Sequence, residues 1–130
     1  MAITHLNPPS MRNNPAFSQG TMIPAGSRII FVGGQDGLDA DGNLVGNTVR
    51  AQTEQALRNV ISVLEEAGAT QADVAKLTIY LVEGSDINEG FAAAQEVWGD
   101  HPTAITGLFV SGLARPGWLV EIEAIAAVPG

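Results

Sequence analysis

Glu121 and Glu123 are the residues whose type and spacing point first to chemistry. They lie in Leu119-Val120-Glu121-Ile122-Glu123-Ala124-Ile125-Ala126, where acids alternate with apolar side chains as in a strand. Alternate strand side chains share a face, so Val120, Ile122, Ala124 and Ala126 make one apolar face. Leu119, Glu121, Glu123 and Ile125 make the other, with the two carboxylates about 6.6 Å apart. Acids with apolar neighbours need a partner, a solvent pocket or a catalytic task such as general acid–base work. The alternative is a solvated second face, which antiparallel sheets often have.

Other chemistry is sparse. There is no cysteine, which excludes disulfides, thiol catalysis and cysteine metal sites. His5 and His101 are far apart and have no ligand-spaced acids beside them, so each reads as a surface residue. Ser18, Ser27 and Ser111 have no visible base, and no nucleophile-elbow, metalloprotease or phosphate-loop motif is present. Asp39-Ala40-Asp41-Gly42-Asn43 resembles part of a calcium loop but lacks the full ligand series and the terminal Glu, so it reads as a turn. No metal site is expected.

The elements that must position these acids follow from periodicity. Residues 1–15 are rich in Pro and Asn and read as irregular, with a short strand near Ile3. A short strand is expected within 16–23, then a clear one over Arg28–Gly33, weakened at Gly33-Gly34. Val49, Ala56, Leu57, Val60, Leu64 and Ala67 fall at helical spacing, predicting a helix from Thr48 to Ala67 that Gly68 stops. Val74–Val82 is a strand with Leu77, Ile79 and Leu81 on one face and Lys76, Thr78 and Tyr80 on the other. Asp86 with Glu89 resembles an N-cap and its reciprocal acid, opening a helix that runs to about Trp98. Ala104–Ser111 and the Glu121 segment are the last strands. The order β, β, α, β, α, β, β predicts an α+β fold, a mixed sheet with two helices on one face. The face bearing Thr78, Tyr80, Glu121 and Glu123 stays open and invites oligomerisation.

Composition sets the class. At 130 residues, 45% hydrophobic and 15% charged, residues 1–130 are expected to form one globular domain. So little charge suggests surface buried between subunits. The net charge is −8, and the six basic residues Arg12, Arg28, Arg50, Arg58, Lys76 and Arg115 are scattered. Nucleic-acid and anionic-membrane binding both rest on clustered Lys and Arg, so neither partner is expected. No signal-peptide pattern or membrane-length apolar run is present, and a cytoplasmic protein is expected.

One family shares this order of features. Phe17-Ser18-Gln19-Gly20, Ile30-Phe31-Val32-Gly33-Gly34-Gln35, Gln52, Asn59, Gly68-Ala69, Val74-Ala75-Lys76, Pro102 and Val120–Ala126 follow one another with the spacing of a single family. From about residue 13 to 128 the chain resembles the YjgF/RidA family of reactive-intermediate deaminases, also called L-PSP endoribonuclease-like. The resemblance implies a chorismate-mutase-like α+β fold. It also implies a homotrimer whose sheets face a central barrel, with clefts between subunits for a small molecule. Family deaminases hydrolyse enamines and imines such as 2-aminoacrylate to a keto acid and ammonia, without a cofactor.

The same alignment implies an altered cleft. Ile105 takes the place of the family's catalytic arginine, whose bidentate fork grips the substrate carboxylate. Losing one partner of such a pair costs roughly 2–5 kcal/mol. Phe17 replaces the usual cleft tyrosine, Gly33 a serine, Phe91 an asparagine, and Gly107 a position that is cysteine in some members. Ile105, Gly107 and Phe109 share a strand face, so the cleft is more apolar and roomier at its glycines. Glu121 is retained; its counterpart in active members positions or activates the attacking water, and the alternative is a structural acid at the subunit interface. Desolvation in an apolar cleft raises a carboxyl's pKa, which suits a general acid or base. Arg115 reads as a solvated or interface residue, although its turn precedes the last strand and offers a charge. Three functions follow: a divergent deaminase or hydrolase for an imine, enamine or related metabolite other than 2-aminoacrylate; a non-catalytic metabolite-binding trimer; and, least favoured given the acidic charge, a ribonuclease or translation inhibitor.

Overall fold

The computed structural model describes residues 3–130. Its centre is the strand β6 (Val120–Val128), whose Val120, Ile122, Ala124 and Ala126 are all buried, as the alternation requires. β6 is flanked by β3 (Arg28–Gln35) and β4 (Val74–Val82), both antiparallel to it. β5 (Ala104–Val110) runs parallel to β4 at the far edge, giving the order β3-β6-β4-β5. A parallel neighbour needs a crossover, and the helix α2 (Ile87–Val97) supplies it. A separate two-stranded sheet pairs β1 (Thr4–Leu6) with β2 (Gly20–Met22), so the strand expected within 16–23 shrinks to three residues.

The helix α1 (Val49–Glu66) lays Val49, Ala56, Leu57, Val60 and Leu64 on the apolar sheet face, where Leu77, Leu81, Val120 and Ile122 complete the core. Two of its polar residues are structural. Gln52 is fully buried; its Nε2 donates to the carbonyls of Gly46 (2.9 Å) and Gly117 (3.0 Å), and its Oε1 accepts from Leu119 N–H (2.8 Å). Asn59 Nδ2 donates to the carbonyls of Asp36 (3.1 Å) and Leu38 (2.9 Å). The loop after β3 is therefore held to the helix at two levels.

Element ends differ in detail from the sequence reading. Thr48 caps α1, accepting from Ala51 N–H at 3.2 Å, and Gly68 ends it at φ 74°. Ala67 is an exposed cap residue, outside the core stripe. β3 continues through Gly33-Gly34 to Gln35, with a register shift between Val32 and Gln35. A short 3₁₀ turn, Gln71–Asp73, precedes β4 behind a Thr70/Asp73 capping box. Asp86 caps α2 by accepting from Asn88 N–H (2.9 Å), but Glu89 does not complete a box with it. Glu89 instead accepts from Arg50 Nε of α1 at 2.7 Å, because the helices pack side by side and an arginine is in reach. Asp86→Ala should therefore cost about 1 kcal/mol in urea unfolding, the usual worth of a cap. Glu89→Ala should cost less, since exposed ion pairs contribute little.

Candidate functional site

On the helix side, a groove of about 800 Å³ runs between α2, the segment around Phe17 and the β4–β5 edge. It exists because α2 carries small residues toward the sheet: Gly90 and Ala94 line it, and Ala93 is the helix's one fully buried residue. The floor is Leu57, Leu77, Ile79, Leu81 and Ile122. Phe17, Phe91, Ile105 and Gly107 line it, with Phe91 62% exposed at the rim. A side chain built at Gly107 would meet nothing within 4 Å. Thr53, 3% exposed, also lines the groove, and its hydroxyl has no hydrogen-bond partner. Asp100 and the half-buried His101 border it too. No arginine or lysine lines it.

Phe109 does not belong to the groove; it is half exposed further along β5. Gly33 and Glu121 lie elsewhere within the chain. Gly33 borders a smaller hollow of about 300 Å³ on the bare sheet face, with Phe31, Lys76, Thr78 and Glu123. Glu121 pairs in register with Tyr80 on that face, toward the β3 side of the sheet. The predicted site residues thus fall into two groups, one on each face of the sheet.

The bare face is more polar than its apolar neighbours imply. Tyr80 Oη donates to Glu123 Oε1 at 2.7 Å. That bond, with smaller contributions from desolvation and the charges of Glu123 and Glu121, raises the phenol's pKa and keeps it a donor. Glu121 lies directly over Gly34, where an added Cβ would overlap its carboxylate. This is why β3 carries a glycine there. Facing Glu121 is Asp36, at the start of the turn-rich loop after β3. Burial, then a hydrogen bond and the charge of Glu121, push Asp36 up to about 7. The usable sequence signal was the Gly33-Gly34 pair just before it, which admits close approach of another group.

Ser18 does have a base: His5 Nδ1 is 2.7 Å from its Oγ. The serine is buried between the small sheet and Thr103, does not line the groove, and is held as a structural residue through its backbone bond to Thr103 O. Arg115 is exposed and lines neither hollow of the single chain. Asp39 Oδ1 accepts from the N–H groups of Asp41 (2.9 Å) and Asn43 (3.0 Å), a turn as predicted.

Sheet order, helix placement and site define the class: a chorismate-mutase-like α+β protein. A family model described as Endoribonuclease L-PSP matches residues 11–128, and the chain belongs to that family, the YjgF/RidA proteins. It is 37% identical over 98 residues to a RutC family protein of Pyrococcus abyssi, covering 75% of this chain and 76% of the relative. It is 31% identical over 111 residues to human 2-iminobutanoate/2-iminopropanoate deaminase, covering 85% of this chain and 78% of that protein. A crystal structure of a conserved Rid-family protein from Yersinia pestis superposes with a TM-score of 0.87 at 35% identity, covering 98% of this chain and all of that one. No helix of the described residues is long and apolar enough to cross a membrane.

Proposed function

We propose that this protein is a cofactor-independent hydrolase of the Rid kind, a deaminase of imines or enamines that lack a carboxylate. The observation behind this reading is the groove itself: about 800 Å³, floored by aliphatic side chains, with Ile105 where the family's arginine belongs and no cation along its wall. A carboxylate entering it would lose hydration without gaining a partner. An uncharged imine, or an iminium cation near Asp100, suffers no such loss.

In the homotrimer we propose, the β5 edge of one subunit lies beside the β3 edge of the next. The groove of one then meets Gly33 and Glu121 of the other. Glu121 accepts a proton from water as its oxygen attacks the imine carbon. The proton passes to nitrogen, giving a carbinolamine; Glu121 then takes the hydroxyl proton and passes it to nitrogen as the C–N bond breaks, and a carbonyl compound and ammonia leave. A cytoplasmic setting suits a chain without cysteine.

A second reading, a trimer that binds metabolites without turnover, draws on a specific observation: within one chain Glu121 does not reach the groove. Ribonuclease activity is disfavoured by a net charge of −8.

Ammonia release decides between them. Freshly generated imines, with and without a carboxylate, are offered to the protein and to Glu121→Gln. Turnover of carboxylate-free imines, falling at least 100-fold in Glu121→Gln, is expected for loss of a general base. Fast turnover of the 2-aminoacrylate imine, or activity indifferent to Glu121→Gln, would overturn the proposal. Saturable binding without ammonia would favour the second reading.

A further inference from the structure

Two carboxyl groups face each other at the end of β3 with no cation between them. Glu121, on the central strand, lies against the backbone of Gly34, and Asp36 reaches it from the loop that follows. Asp36 cannot swing away freely: its backbone carbonyl accepts from Asn59 Nδ2 (3.1 Å) on α1 and from Leu38 N–H (2.8 Å). Its Oδ1 is buried and has no hydrogen-bond partner. Both ion pairs among the described residues belong to Arg50, on the α1–α2 side. Lys76 Nζ is bonded to Thr106 on β5, and Arg28 Nε to Pro129 O at the chain end.

Two carboxylates in contact cannot both stay ionised without a neutralising partner. A buried carboxylate oxygen with no donor adds a further penalty. One proton held between the two groups removes both problems. It neutralises one acid and supplies a donor to the other. The neighbouring ionisable groups on the same face, Tyr80 and Glu123, are already bonded to each other at 2.7 Å and contribute only negative charge.

We propose that Asp36 is a positioning residue for Glu121: the two share a single proton, so that the pair is a monoanion and Glu121 keeps one oxygen oriented and free as an acceptor. This rests on the hydrolase reading for its catalytic meaning, though not for its existence. In hydrolysis, Asp36 donates its proton to one oxygen of Glu121 while the other takes a proton from the attacking water. That proton passes to nitrogen, and the carbinolamine's hydroxyl proton follows by the same oxygen as the C–N bond breaks. The pair starts and ends each turnover with one proton, and the net change is imine plus water to carbonyl compound plus ammonia. The pair is intact only below about pH 7, where Asp36 holds its proton.

Asp36 is raised from 3.8 to about 7, so between those values the folded protein holds a proton that the unfolded chain has released. Its contribution is complete below about 4 and is lost as pH rises toward 7.

The test needs no substrate. Carboxyl carbon NMR of the intact protein, from pH 3 to 9, should show Asp36 inflecting near 7. Glu121→Gln puts an amide donor against Asp36 and should move that inflection down by at least one pH unit. Asp36→Asn should abolish the inflection and flatten the fall of the urea midpoint between pH 4 and 7; Asp36→Ala should flatten it too. If Asp36 still titrates near 7 in Glu121→Gln, burial alone sets it and the shared proton is overturned. If no inflection near 7 exists in the native protein, the pair itself is overturned. Where imine turnover is found, Asp36→Asn should retain activity at low pH and lose its decline above 7, and Asp36→Ala should lose activity throughout. With no turnover in any protein, the NMR result still stands or falls alone, which separates this inference from the hydrolase reading.

Discussion

Gln52→Ala should lower the unfolding free energy by about 3 kcal/mol, read as a shift of the urea midpoint at unchanged slope. Gln52 is fully buried on α1 and makes three hydrogen bonds to three different places: Gly46 in the loop after β3, Gly117 in the turn before β6, and Leu119 at the entrance to β6. Each bond is worth about 1 kcal/mol net, and truncation leaves two carbonyls and one N–H without partners in a buried space. The packing allows no substitute. At Gly37 an added Cβ would stand 2.8 Å from the Cα of Gln52, so loop and helix are already in contact. Gln52→Glu should be worse than alanine at neutral pH, because a carboxylate cannot donate to Gly46 O or Gly117 O and must be desolvated. A loss below 1 kcal/mol for Gln52→Ala would mean that water takes over these bonds and that the loop does not depend on the helix.

Gln52 also shows where sequence reading succeeds and where it stops. Strand alternation in Val120–Ala126 and helical spacing in Val49–Leu64 are local patterns set by which side chains must leave water, and both faces are buried as predicted. The groove residues Phe17, Phe91, Ile105 and Gly107 were legible through family spacing and do meet in space. Glu89 was misjudged because its choice between its own helix terminus and Arg50 depends on how two helices pack, which no local pattern contains. The same holds for Ser18 and His5, joined only by the pairing of β1 with β2. Asp36 was hidden most completely. Asp-Gly sequences are ordinary turn material, and only the register shift that brings Gly34 under Glu121 gives this aspartate a carboxyl neighbour.

Gly107→Leu should abolish small-molecule binding in the groove while leaving the fold intact. Gly107 lies on β5 opposite Ile79, at a φ that any residue adopts, and a Cβ there meets nothing within 4 Å. A leucine therefore enters without backbone strain, and in a strand it replaces a residue of poor β-propensity. The expected change in unfolding free energy is within about 1 kcal/mol, well under the Gln52→Ala effect. The new side chain projects into the space between Ile105 and α2, where its volume competes directly with any ligand. Affinity for a neutral apolar probe such as 1-aminoanthracene, followed by fluorescence, should fall at least tenfold, a difference of about 1.4 kcal/mol. Imine turnover should fall with it if the groove is the substrate's seat. Unchanged probe affinity would place the ligand elsewhere, most directly in the hollow around Gly33 on the bare face, where a side chain also meets no obstacle. Because Gly33→Leu would close that second hollow in the same way, the pair of variants assigns the ligand to one sheet face or the other. Loss in both would be the result expected if the ligand lies across the junction of two subunits, with Gly107 of one and Gly33 of the next on either side.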